Sequence, residues 1–198
     1  IYEIEPETTP QIVEIKHYPT LTEYGVKRGH SEITINYFAS SIQKLYKINE
    51  GEWKTYQNTS INLELGEVLY AKGIDKYGNE TSISSCTSEL PDDAMAPEAY
   101  DNDMETLGFS NNLKPPLGTD GTAVLYVDET MYEKKVRIRM NDQVGQPYLY
   151  IYNKSGEELY KLNLTNTDIT ITIPREAHRI VFQRVYSYLS IYEIEPEN

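Results

Sequence analysis

The chain has one cysteine, one tryptophan and three phenylalanines in 198 residues, and it lacks any apolar run long enough to span a membrane. The single Cys86 excludes an internal disulfide and any cysteine-based zinc site; it reads as a small buried or linker thiol. Positive charge is scarce. Eighteen Lys and Arg stand against 31 Asp and Glu, a formal net charge of -13. Neutralising phosphates requires clustered basic residues, so this balance argues against a nucleic-acid partner and an anionic membrane surface. No membrane insertion is expected of this stretch. No secretion leader is visible. Also missing are a nucleophile elbow, a phosphate loop, an HExxH helix and paired-cysteine metal motifs. His17, His30 and His178 are scattered. Nothing here points to an enzyme, and a non-catalytic chain is expected.

What is present is tyrosine, with 18 residues, and alternation. Tyr combines apolar area with a hydrogen-bonding tip, which suits half-exposed strands and contact surfaces. Ile33, Ile35 and Tyr37 fall on one face of an extended segment; Ile169, Ile171 and Ile173 do the same, as do Val136, Ile138 and Met140. Period-2 patterning of this kind marks half-buried strands. Further strands are expected at 11–15, 45–48, 60–65, 68–74, 123–127, 148–152, 159–164, 179–185 and 189–195. Turn chemistry separates them at Asn49-Glu50-Gly51, Tyr77-Gly78-Asn79, Thr119-Asp120-Gly121 and Asn153-Lys154-Ser155-Gly156. Gly78 and Asn79 are expected to supply the turn, since both tolerate positive φ. Many short strands with frequent turns predict an all-β chain of sandwich or barrel type.

The chain also repeats itself. It opens Ile1-Tyr2-Glu3-Ile4-Glu5-Pro6-Glu7 and carries the same seven residues at 191–197. Such self-similarity points to a tandem array, with the opening residues as the last strand of a preceding unit. The alternative is two similar strands that arose by chance. The stretch Glu89-Leu90-Pro91-Asp92-Asp93-Ala94-Met95-Ala96-Pro97 carries two prolines and no alternation, and reads as an extended connector. The division is therefore 1–9 as a terminal strand remnant, 10–87 as a first β-domain, 88–96 as linker and 97–198 as a second β-domain.

Residues 46–56 read as a hairpin with an aromatic return strand, followed by Val68-Leu69-Tyr70-Ala71-Lys72-Gly73-Ile74-Asp75-Lys76-Tyr77-Gly78-Asn79-Glu80-Thr81. This run resembles the immunoglobulin-like modules of bacterial surface proteins and secreted glycosidases, including the chitobiase C-terminal-like type. The resemblance covers roughly 10–85 and implies a spacer module. Trp53 is expected in the core or at its edge.

In the second domain, Ala99-Tyr100-Asp101-Asn102-Asp103-Met104-Glu105-Thr106 resembles the Asp-rich loop of discoidin-like modules. These are also called coagulation factor type C or galactose-binding-like domains, and they include carbohydrate-binding modules. Ser190-Ile191-Tyr192-Glu193-Ile194-Glu195 is similar to that family's closing strand. The resemblance implies a β jelly roll and a structural calcium ion held by Asp101, Asp103, Thr106 and Glu193. The set offers the hard oxygens calcium takes. Glu195 shares the face of Glu193. Read without the family, the same loop is an ordinary acidic turn closed by its own Asx hydrogen bonds. Here Thr106 leads to Leu107-Gly108-Phe109, where the family often carries Trp. Tyr148, Tyr150, Tyr152, Tyr186 and Tyr188 are candidates for stacking on sugars or for plain sheet packing. Ligand-binding residues stay unassigned.

The fold expected is thus an immunoglobulin-like sandwich followed by a discoidin-like jelly roll. The function expected is a structural stalk in a repetitive, secreted or cell-surface-attached bacterial protein or adhesin, with neighbouring repeat units as partners. The alternative is a carbohydrate-binding module with a glycan partner.

Overall fold

The computed structural model describes residues 9–95, 121–140, 147–184 and 191–197. Among these the chain is all-β. The one helical element is a 3-10 turn at Glu129–Met131, and no helix is long and apolar enough to cross a membrane. Contacts divide the chain into two compact units. One takes the described part of Ile1–His17 together with Gly29–Leu90, and the other takes Tyr18–Arg28 with the described part of Pro91–Asn198.

In the first unit, β1 (Gln11–His17), β4 (His30–Asn36) and β7 (Ile61–Glu64) form an antiparallel sheet in the order β1-β4-β7. A second sheet contains β5 (Gln43–Ile48), β6 (Lys54–Thr55), β8 (Val68–Ile74) and β9 (Ser84–Thr87) in the order β6-β5-β8-β9. Ile33, Ile35 and Leu63 from the first sheet meet Leu69 and Ala71 from the second, and all are buried with Tyr56 in one core. Alternation produces this directly, since every second residue of a strand faces the same side.

Tyrosine hydroxyls cross this core. The pairing of β4 with β7 stops at Ile33 opposite Ile61. Beyond it the Ile35 N–H donates to the Tyr56 hydroxyl at 3.1 Å. The Tyr37 hydroxyl, at the end of β4, donates to the Leu45 carbonyl on β5 at 2.7 Å. A phenylalanine would fill the same volume but leave the Ile35 N–H unmatched and remove the bond to Leu45. Burial also raises the Tyr37 hydroxyl pKa well above the ordinary phenol value, so it stays a donor.

The second unit begins with a hairpin that alternation alone does not reveal, β2 (Thr20–Thr22) and β3 (Gly25–Lys27). It stands in sequence between β1 and β4, yet β2 pairs in parallel with β10 (Gly121–Val127). With β12 (Tyr148–Asn153), β13 (Glu158–Asn163) and β15 (Ala177–Arg184) it completes a six-stranded sheet ordered β13-β12-β15-β10-β2-β3. A three-stranded sheet, β14-β11-β16, is built from β11 (Lys135–Met140), β14 (Asp168–Thr172) and β16 (Ile191–Pro196). The two sheets share a core of Leu21, Leu125, Leu149, Ile151, Ile180 and Phe182 from the larger with Val136, Ile138, Ile171, Ile191 and Ile194 from the smaller.

The turn after β8 forms where the sequence expectation puts it. Gly78 has φ of +87°, but Asn79 does not adopt positive φ. Asn79 instead donates from its backbone and side-chain nitrogens to the Asp75 carboxylate, both at 2.9 Å. Those bonds, with one from Tyr77, hold the Asp75 carboxyl below its usual range.

Leu63 is fully buried in the first unit, so Leu63→Ala should cost about 2–5 kcal/mol. Tyr56→Phe should cost about 1–3 kcal/mol by orphaning the Ile35 N–H. Urea unfolding followed by far-UV circular dichroism checks both. An unchanged midpoint for Tyr56→Phe would remove the hydroxyl from the account of this core.

Candidate functional site

Of the four residues that the family resemblance offers as calcium ligands, Asp101, Asp103 and Thr106 lie outside the described residues. Glu193 is described. It sits on β16 opposite Arg139 of β11 and is 3% exposed. Burying a carboxylate is costly unless hydrogen bonds or a cation offset it, and its oxygens are of the kind calcium takes. Glu195, the other candidate on that face, is committed to Arg139, whose guanidinium lies 2.5 Å from its carboxylate. The face continues through the fork of Arg137 on Asp168, which holds that carboxyl below its usual range. Among the described residues, no three His, Cys, Asp or Glu side chains gather as a metal-binding group.

A second constellation lies on the outer face of the six-stranded sheet. Leu149 and Ile151 of β12 point to the core, so Tyr148, Tyr150 and Tyr152 point away from it. Their rings form a file, with centroids 6.0 Å apart from Tyr148 to Tyr150 and 5.9 Å from Tyr150 to Tyr152. Lys161 on β13 reaches over the first two rings, at 4.8 Å and 5.1 Å. The guanidinium of Arg179 on β15 sits 5.2 Å from the Tyr152 centroid.

Arg179 pairs with Tyr152 on one side and Tyr126 of β10 on the other, so the row turns across the sheet. Tyr126 stacks on Tyr18 at 4.7 Å with an interplanar angle of 11°, and meets His178 at 4.8 Å. Tyr18 then donates to Asp93 at 2.6 Å. Burial first, and the Asp93 carboxylate second, raise the Tyr18 hydroxyl. Burial, with Lys154 and Arg179 nearby, lowers the His178 imidazole.

Sequence alternation finds Tyr148, Tyr150 and Tyr152 but not Tyr18, Tyr126, Lys161 or Arg179, which join them only through strand pairing. Tyr186 and Tyr188 lie outside the described residues. Chemically, the row offers aromatic area and hydroxyls but no nucleophile with a base. Two of its cations already lie over ring faces on which a flat ligand would stack.

Three smaller features complete the picture. Trp53 is absent from the core cluster; it stands half-buried, with Lys72 4.8 Å and Lys47 5.7 Å from its ring. Cys86 is half-buried, and burial followed by the Glu14 carboxylate pushes its thiol up, away from the reactive thiolate. An open cleft of about 620 Å³ beside the end of β16 is lined by Glu23, Lys134, Glu195 and Glu197. Its one ammonium, Lys134, is held by Glu23.

No family model matches the chain, and no curated protein matches it. One similar solved structure is the insecticidal delta-endotoxin Cry8Ea1 from Bacillus thuringiensis, at 8% identity and a TM-score of 0.27. The match covers 96% of this chain and 53% of the toxin chain, so the chain spans about half of that toxin's length. At that score the likeness fixes neither fold family nor function.

His178 supplies a pH signature for this face. Its pKa is lower in the folded chain than the ordinary 6.5. The unfolded chain therefore takes up a proton first as pH falls. Its stabilising contribution is complete above pH 6.5 and declines as pH drops through 6.5 towards the folded value. The melting temperature of the second unit should fall across that window, and His178→Gln should flatten this part of the profile. A profile unaltered by the substitution would contradict the assignment.

Proposed function

We propose that the chain is a non-catalytic pair of modules, an immunoglobulin-like sandwich and a discoidin-like jelly roll, from a repetitive extracellular bacterial surface protein or adhesin. The observation that carries this reading is the recurrence at 1–7 of the seven residues 191–197. The second set forms β16, the last strand of the second unit. A series of modules needs only stable units joined end to end.

The strand orders support the module types. With β1, β4 and β7 read as A, B and E, the first sheet is A-B-E. With β6, β5, β8 and β9 read as C′, C, F and G, the second is C′-C-F-G, the immunoglobulin partition. In the second unit a smaller sheet, closed by the final strand, shares one core with a larger sheet, as a jelly roll requires. The buried Glu193 supports a structural calcium site completed by Asp101, Asp103 and Thr106. Bound there, calcium would supply charge neutralisation for the closing strand.

The test is an overlapping tandem, residues 1–190 followed directly by 1–198, in which the second copy's 1–7 serves as the first copy's closing strand. Both copies should melt at the temperature of the single chain. A first copy whose second unit melts lower would sink the serial-module reading.

The second reading is a carbohydrate-binding module of a secreted glycosidase or adhesin, favoured by the file of Tyr148, Tyr150 and Tyr152. A glycan array in calcium buffer, repeated with chelator, addresses it. The stalk reading expects silence from folded protein in both. Calcium-dependent binding to one sugar class, lost in Tyr150→Ala, would replace the stalk with recognition.

A further inference from the structure

The seven repeated residues contain β16. β16 runs Ile191–Pro196, and Glu197 closes it: its backbone N–H donates to the Lys135 carbonyl at 3.0 Å and its carboxylate accepts from the Thr170 hydroxyl at 2.9 Å. Ile191 and Ile194 are 5% and 1% exposed in the core. Glu195 pairs with Arg139. Pro196, which has no N–H to give a ladder, stands at the end of the strand opposite Val136. Each of these contacts belongs to a residue that residues 1–7 also carry, in the same order: Ile1, Ile4, Glu5, Pro6 and Glu7.

We propose that residues 1–7 of one copy of this chain bind β11 of a second copy in place of β16. The register follows from the existing one. Ile138 faces Ile194, Arg137 faces Glu195 and Arg139 faces Glu193, so Ile4, Glu5 and Glu3 take those places. The partner is a second copy because the slot is cut for this sequence: apolar positions under Ile1 and Ile4, a guanidinium for Glu5 and a hydroxyl for Glu7. Main-chain pairing supplies affinity and the alternate side chains supply specificity, as in other strand additions.

Identical strands compete on concentration alone. The resident β16 is tethered, with an effective concentration on the order of mM. At about 10 μM chain, exchange therefore occupies roughly 1% of the slots, and it grows with chain concentration or when β16 is weakened. The serial-module reading explains why the sequence recurs, but exchange requires only the recurrence and the slot.

The test traps the exchanged state in the full chain with β16 intact. Residues directly opposite in an antiparallel ladder lie about 4.5–5.5 Å apart at Cα, within disulfide reach. Glu5→Cys with Arg137→Cys, in a Cys86→Ser background, should accumulate interchain disulfide under mild oxidation, faster in proportion to chain concentration. Adding Ile1→Asp and Ile4→Asp should slow trapping at least tenfold. In a parallel arm, Ile194→Asp weakens the resident strand and should give concentration-dependent association in sedimentation velocity, reversed by Ile1→Asp with Ile4→Asp. No interchain disulfide up to mM chain, an intrachain disulfide alone, or trapping indifferent to Ile1 and Ile4 would each overturn the proposal. A folded overlapping tandem together with no trapping would remove exchange and leave the serial modules standing. Trapping with a misfolded tandem would do the reverse.

Discussion

A strand with one apolar face and a neighbour on one side only has a row of backbone N–H and C=O groups without partners. β11 escapes this because β14 flanks it on one side and β16 on the other. Its inward residues Val136, Ile138 and Met140 can then be buried to 3% or less. The second unit's core depends on this arrangement, since the smaller sheet covers the larger only when all three strands are in place. The closing strand comes from the far end of the sequence. The outward face is matched by charge, with Arg137 on Asp168 and Arg139 on Glu195. The Arg137 pair is exposed and adds little stability, whereas the Arg139 pair is part-buried.

Tyrosine serves both units, in different ways. In the first its ring sits in the core and its hydroxyl bonds a backbone group across it, at Ile35 in place of a ladder partner. In the second it lines an outer face, where Lys161 and Arg179 cover the rings. That division shows why Tyr rather than Phe stands at these positions. A core that needs polar tips at particular points cannot use phenylalanine there, and a half-exposed face gains nothing from it. The same covering argues for cohesion within the sheet over recognition of a flat ligand, because a sugar would have to displace the cations.

Alternation made the longer strands legible. β4, β8, β11, β12 and β14 all coincide with period-2 runs, and the hairpin of β5 with β6 follows the Asn49-Glu50-Gly51 turn. β2 and β3 were not legible, because segments of three residues carry no period, and β9 (Ser84-Ser85-Cys86-Thr87) has no large apolar residue to mark a face. Their pairing is decided by the strand they meet, as when β2 joins β10. Asn79 shows a similar limit: its residue type announces a turn, but its role is to bond Asp75. At the candidate calcium site the sequence places Glu193 on the final strand. Its burial could not be read, since glutamate is ordinarily exposed. The aromatic row was legible only along β12, because its other members meet through cross-strand register.

The β2–β3 hairpin has a consequence for how the chain can be taken apart. The chain passes between its two compact units at 17/18, 28/29 and 90/91. A scission at the last of these alone would separate neither unit cleanly. The C-terminal piece would lose the edge that β2 and β3 supply to β10, together with buried Leu21. The N-terminal piece would carry a hairpin with no sheet to join. Recombinant dissection of this protein therefore requires a graft, with residues 18–28 supplied to the C-terminal piece and a short turn closing β1 to β4 in the other.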